Sequence, residues 1–207
     1  MPERSEINTV HEFYQFLDKT KKVTDISERT ELITKELSFL KKESIINFEK
    51  FLRKELIRVC HYNVLLLAEL NYPTPVVMKA GKIVELDDPY FSTDMFIYFR
   101  CGVILLGENE IELLLEDPNN IIGMVNPNIR IDAEGLLYCA RHALEIKGSK
   151  VELDAVLDMS EHYDFGNYSL LGENIKWYDP KSEFPELVEY YDYEKPIMEM
   201  PDSLFNK

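Results

Sequence analysis

The feature that most constrains the fold is an apolar run spaced by threes and fours between Glu43 and Leu70: Ile45, Phe48, Phe51 or Leu52, Leu56, Val59, Leu66 and Leu70. At 3.6 residues per turn such spacing gathers the apolar side chains on one stripe, so the run predicts a long helix that needs partners to cover it. Toward Leu70 the pattern becomes apolar nearly all round, which places that end centrally in the core. Asn71-Tyr72-Pro73-Thr74-Pro75 ends it, because proline lacks an amide hydrogen and pushes its predecessor out of helical geometry. The same periodicity appears upstream. Val10, Phe13, Tyr14 and Leu17 share a face within Asn8 to Lys19. Asp25 followed by Glu28 resembles a helix start, with Leu32, Ile33, Leu37 and Leu40 as its stripe and a break near Lys41-Lys42.

Downstream, Val76-Val77-Met78 and Ile83-Val84 flank Lys79-Ala80-Gly81-Lys82, the pattern of a small β-hairpin, since glycine permits the positive dihedral of a tight turn. Ser92 is placed to cap a helix from Thr93, with Asp94 in the first turn and Phe96, Phe99, Val103 and Leu106 inward. Gly107 ends or bends that helix, and Glu108 to Glu116 continues with Ile111, Leu114 and Leu115 until Asp117-Pro118. Asp132 opens a further helix in which Leu136, Ala140 and Ala143 share a face, with Gly148 as its stop. Val151 to Ser160 reads as a short helix, and Asp164-Phe165-Gly166-Asn167 and Asp179-Pro180 as turns. The expected fold is mainly α: a single-domain bundle of about six to eight helices over residues 1–207, with one small β-hairpin near residues 76–86. An acidic, tyrosine-rich segment, 184–207, forms its C-terminal part, as a short helix and an ordered tail.

With 207 residues and 45% apolar content, one core is the simplest arrangement. The longest purely apolar run, Val64 to Ala68, is too short to span a bilayer, and no leader-like segment follows Met1. Cys60, Cys101 and Cys139 are odd in number and lie in apolar surroundings, which suits free thiols in a reducing compartment and makes the cytoplasm the expected location. The net charge of −15 is unevenly distributed. Residues 1–70 carry twelve basic and twelve acidic side chains, residues 71–151 seven and twelve, and residues 152–207 four and fourteen. That field repels phosphate backbones, so no nucleic acid is expected as a partner, nor a membrane; a basic protein is.

Several of these elements together resemble a family, the bacterial domain of unknown function 4240. The resemblance rests on Ile45-Ile46-Asn47-Phe48, then Ser92-Thr93-Asp94-Met95-Phe96-Ile97-Tyr98-Phe99-Arg100 with Ile104 and Gly107, then Asp117-Pro118, and finally Trp177 with Phe184-Pro185-Glu186-Leu187. These fall in the family's order over roughly residues 8 to 192. The chain departs from the pattern at Thr93, where the family has an acid, at the long insert Asn71 to Tyr90, and at Val103, where the family has Trp. The resemblance implies a mainly α-helical fold and nothing catalytic.

Asp94 and Arg100 sit in an otherwise apolar helix, so each must find a partner or face solvent. Arg100 suits a buried role against backbone carbonyls or an acid such as Glu69. A ligand pocket is the competing reading, placed between the helix of Asp94 and Arg100 and the helix of His142. Cys60-His61 and Cys139 with His142 are weak metal or nucleophile signals, without a Cys-x-x-Cys element, so no metal, cofactor or catalytic residue is expected. Phosphate-loop, dinucleotide, zincin and nucleophile-elbow patterns are absent. Glu108, Glu110, Glu112, Glu116 and Asp117 read as a solvated helix face. Glu189, Tyr190, Tyr191, Asp192 and Tyr193 form the candidate partner surface, since tyrosine offers contact area at low entropic cost and acids steer a cationic partner. The expected function is a non-catalytic acidic protein, monomer or homodimer, that binds a protein partner as an immunity or antitoxin-like inhibitor of a basic toxin. An enzyme or small-molecule binder with a pocket near Asp94 and Arg100, and a domain of a larger regulatory assembly, stand as alternatives.

Overall fold

The computed structural model describes residues 6–72, 92–149, 153 and 180–192, together with the backbone of strands at 76–79, 82–84 and 197–199. The fold is mainly α. Helix α1 (Val10–Asp18) starts with a full capping box: the Thr9 side chain accepts from the Glu12 amide while Glu12 Oε2 accepts from the Thr9 amide. Helix α2 (Ile26–Ser38) is capped by Asp25, whose Oδ1 accepts from the Glu28 amide at 2.9 Å. Then come α3 (Lys42–Arg58), α4 (Tyr62–Asn71), α5 (Thr93–Leu106) and α6 (Glu108–Glu116). Two 3₁₀ turns, Pro118–Ile121 and Glu134–Tyr138, precede α7 (Cys139–Ile146). Two short helices, α8 (Pro180–Glu183) and α9 (Pro185–Tyr190), follow.

The periodic run from Glu43 to Leu70 is two helices rather than one. The chain leaves α3 at Val59, and His61 adopts extended geometry as the N-cap of α4, its Nδ1 accepting from the Asn63 amide at 3.2 Å. A histidine whose Nδ1 is unprotonated thus performs the service usually given by Asp or Ser. The apolar spacing runs on across the corner because both helices bury their residues in one core, which is why the break does not show in the pattern. Asp132 also departs from expectation. The next helical turn begins at Glu134 after Ala133, with no side-chain cap, while the Asp132 carboxylate accepts from the Tyr72 hydroxyl at 2.9 Å and Arg130 lies 4.9 Å over the Tyr72 ring.

Strands β1 (Val76–Lys79) and β2 (Lys82–Val84) form the expected antiparallel hairpin, with Met78 opposite Ile83. A third strand, β3 (Ile197–Glu199), joins in parallel on the other side of β1. Ala80-Gly81, the segment Val151 to Ser160 apart from Leu153, the turn at Asp164 to Asn167, and Trp177 lie outside the described residues.

One continuous apolar cluster draws on every helix from α1 to α7 and on Leu187 of α9. Phe13 packs edge-on against Tyr14 and tilted against Phe48, each at 5.1 Å between centroids, which locks α1 to α3. Helix α5 admits no side chain at Gly102: a Cβ there would lie 1.4 Å from the Ile131 carbonyl oxygen. The extended stretch through Ile131 therefore rides directly on the α5 backbone, held by the Ala133 amide donating to the Tyr98 carbonyl at 3.0 Å. Gly107, at φ +123°, makes the corner between α5 and α6. Among the described residues no helix is long and apolar enough to cross a membrane.

Two predictions follow from the backbone. Gly102→Ala forces that extended stretch off α5 and should cost at least ~2 kcal/mol, read as a lower urea midpoint at unchanged slope; wild-type stability would refute the close approach. Burial lowers the His61 pKa, so the unfolded chain binds the proton more readily. Stability contributed by neutral His61 is therefore present above about pH 6.5 and falls as pH drops toward the folded value. His61→Asn keeps a capping side chain, so stability measured against pH should fall less steeply across this window than in the wild type.

Candidate functional site

Arg100 is fully buried. Its Nη1 donates to the Leu56 carbonyl at 2.9 Å, its Nε to the Phe96 carbonyl at 3.4 Å, and its Cζ sits 4.6 Å from the centre of the Phe96 ring. Leu56 lies in the last turn of α3, where carbonyls lack an intrahelical donor and the helix dipole is negative. The guanidinium closes the end of another helix, which is a physical reason for a cation in this core. Asp94 and His142 are both exposed. The structure therefore does not gather Asp94, Arg100 and His142 around one pocket: two face outward and one is sealed.

The exposed pair shares a surface instead. Glu134 accepts from the Tyr138 hydroxyl at 3.2 Å, and the Tyr138 ring stacks on His142 with centroids 6.1 Å apart. The Glu134 bond, followed by its charge, raises the Tyr138 pKa, and the nearby Asp94 charge adds to this. Tyr98 is raised as well, first by burial and then by Glu134 and Asp94. Both phenols therefore remain neutral donors beside these acids.

The thiols are held in their unreactive form. Cys139 Sγ donates to the carbonyls of Thr30 at 3.4 Å and Gly135 at 3.3 Å, and burial pushes its pKa up to about 12. Burial raises Cys101 further and Cys60 less. Among the described residues, no group of three or more His, Cys, Asp or Glu is placed to hold a metal ion.

The acidic face of α6 is solvated at Glu112, Glu116 and Asp117, as expected, but part of it is also paired within the chain. Glu108 lies 3.2 Å from His11 Nδ1, Glu110 lies 3.3 Å from Lys21 Nζ, and Glu112 pairs with Arg58. Arg58 also reaches Glu55 at 2.6 Å, and Glu55 accepts from Tyr14, whose pKa is raised first by burial and then by the Glu55 charge. This chain of polar groups links α1, α3 and α6, and the periodicity of their apolar faces gives no sign of it.

On the C-terminal segment the structure separates acids from tyrosines. The Tyr190 hydroxyl donates to the Val125 carbonyl and accepts from the Gly123 amide at 3.4 Å, while Leu187 is buried. Tyr191 packs edge-on against Tyr190 at 5.3 Å, and its pKa rises through burial. Both rings and the Tyr190 hydroxyl, expected at a contact with a partner, are engaged within the chain, whereas the Tyr191 hydroxyl is buried without a hydrogen-bond partner among the described residues. Glu186, Glu189 and Asp192 are exposed. Tyr193 lies outside the described residues.

These features define a helical domain with a charge-closed core and an acidic C-terminal helix. Residues 9–145 match the family described as protein of unknown function (DUF4240), and the chain belongs to that family. The match ends before Trp177 and Phe184-Pro185-Glu186-Leu187. No curated protein and no solved structure matches the chain.

Arg100→Ala should cost about 3 kcal/mol, combining lost packing with an unanswered Leu56 carbonyl, and Arg100→Met should recover the packing part only. Thermal unfolding of both variants tests this. An alanine variant as stable as wild type would remove Arg100 from its bracing role.

Proposed function

We propose that this chain is a non-catalytic, acidic cytoplasmic protein that binds a basic protein partner, acting as an immunity or antitoxin-like inhibitor. The observation that supports this reading is the two-sidedness of α9: Leu187 and Tyr190 fasten it to the body, while Glu186, Glu189 and Asp192 face outward. Among the described residues, none of these three carboxylates has a cation of its own chain to pair with. Ile122, 40% exposed, adjoins the Gly123 amide that holds Tyr190 and adds an apolar edge. A helix fastened by Leu187 and Tyr190, with acids outward and a flanking apolar residue, is suited to steering and then seating a cationic surface. In composition, residues 152–207 carry fourteen acids against four bases, in keeping with an acidic partner surface.

Capture from the source cell with tagged wild type and with an E186Q/E189Q/D192N triple variant tests the reading. The wild type should retain a basic protein that is released at high ionic strength, and the variant should retain about tenfold less, the loss expected when several steering charges are removed. Equal retention by both, or a partner indifferent to salt, would overturn the assignment of this surface.

A further inference from the structure

Helix α9 is six residues long, too short to be stable by itself, and depends on what it docks against. Its anchors are few. Leu187 is buried in the core, and the Tyr190 hydroxyl donates to the Val125 carbonyl and accepts from the Gly123 amide. Among the described elements its main neighbour is α8, another short helix, rather than one of the long helices of the body. Both lie beyond residue 145, where the family match ends.

Three features work against the docked helix. The Tyr191 hydroxyl is buried without a hydrogen-bond partner among the described residues, so docking strips it of water and returns nothing. Asp192 follows the helix in the left-handed region, at φ +47°, where glycine ordinarily ends a helix without steric cost. Glu186 and Glu189 stand three apart on the helix and repel each other. Glu189 and Asp192 lie at its C-terminal end, where the helix dipole is negative and no basic residue shares the last turn.

We infer that α9 is a charge-operated strap: it opens from the 123–125 loop while the body stays folded, and positive charge brought to its acids closes it. Opening returns the Tyr191 hydroxyl to water, releases Asp192 from its left-handed geometry and lets the carboxylates part. Closing seats Leu187 and the Tyr190 tether. The balance is small because each side consists of a few contacts, which is the condition for a local opening below the free energy of global unfolding. Cations act by differential affinity, favouring the docked form, in which the three carboxylates are held together, over the open form, in which they are apart. The device belongs to α9 itself and does not rest on the identity of a partner; a basic partner of the kind proposed above would act on it as any cation does.

Hydrogen exchange of the full chain, followed by mass spectrometry, tests the strap with no partner present. The amides of Leu187, Val188, Tyr191 and Asp192 donate within the docked segment and report its opening, whereas those of α5 report global unfolding. The α9 amides should be protected, but at least about a hundredfold less than those of α5. Tyr191→Phe keeps the ring and removes the stranded hydroxyl, so it should raise α9 protection about tenfold, and Asp192→Gly about threefold. Tyr190→Phe should lower it about fivefold. High salt, or oligolysine at low salt, should raise it about threefold in the wild type and leave the E186Q/E189Q/D192N variant unmoved. Protection equal to that of α5, absence of protection, or a Tyr191→Phe variant no better protected than wild type would overturn the inference. So would an equal response of wild type and triple variant to added cations.

Discussion

The bond from the Arg100 guanidinium to the Leu56 carbonyl is the contact around which the other helices are arranged. A cation without access to water needs fixed dipoles or an opposite charge in place of its hydration, and the end of α3 supplies such a dipole. The position of Arg100 then fixes how α5 crosses α3. On the other side of α5, the bare backbone at Gly102 lets the Ile131 stretch approach, and that stretch leads through Ala133 into the turn before α7. Lengthening the side chain at position 102 or shortening it at position 100 therefore disturbs the same stack from opposite faces.

Much of this was legible in the sequence because caps and stripes are local. Asp25 and Ser92 accept the amide bonds that their types and positions suggest, Thr9 caps α1 just inside the expected start at Asn8, and Gly107 makes its corner at a positive φ that glycine tolerates. Where the reading failed, the deciding partner was distant in sequence or the residue was an uncommon type for its task. His61 caps a helix that apolar spacing runs straight through, and Asp132 is drawn from a capping role by Tyr72, sixty residues away. Arg100 could be recognised as needing carbonyls or an acid, but the sequence does not say that a carbonyl of α3 stands opposite.

The candidate surfaces were legible as composition and illegible as geometry. Tyr190 and Tyr191 belong to the acidic segment in sequence, yet their rings pack on each other and the Tyr190 hydroxyl works as a tether to the 123–125 loop. A phenol in a tyrosine-rich helix can satisfy its hydroxyl on the body or on a partner, and only the fold decides which. The acids beside them have no such option in an apolar interior, so their outward placement follows once Leu187 is buried.

The same logic shows why a run of like charges does not by itself mark an interface. In α6, Glu110 and Glu112 pair with Lys21 and Arg58 and Glu108 hydrogen-bonds the His11 ring, so part of that charge is answered within the fold. Tying Lys21 to Glu110 takes one acid and one base out of the surface field together. What remains outward on α9, Glu186, Glu189 and Asp192, is a subset of acids that the net charge of −15 does not single out. Charge counted along the sequence is therefore a poor guide to which acids remain outward, because the intramolecular pairs have already sorted part of it.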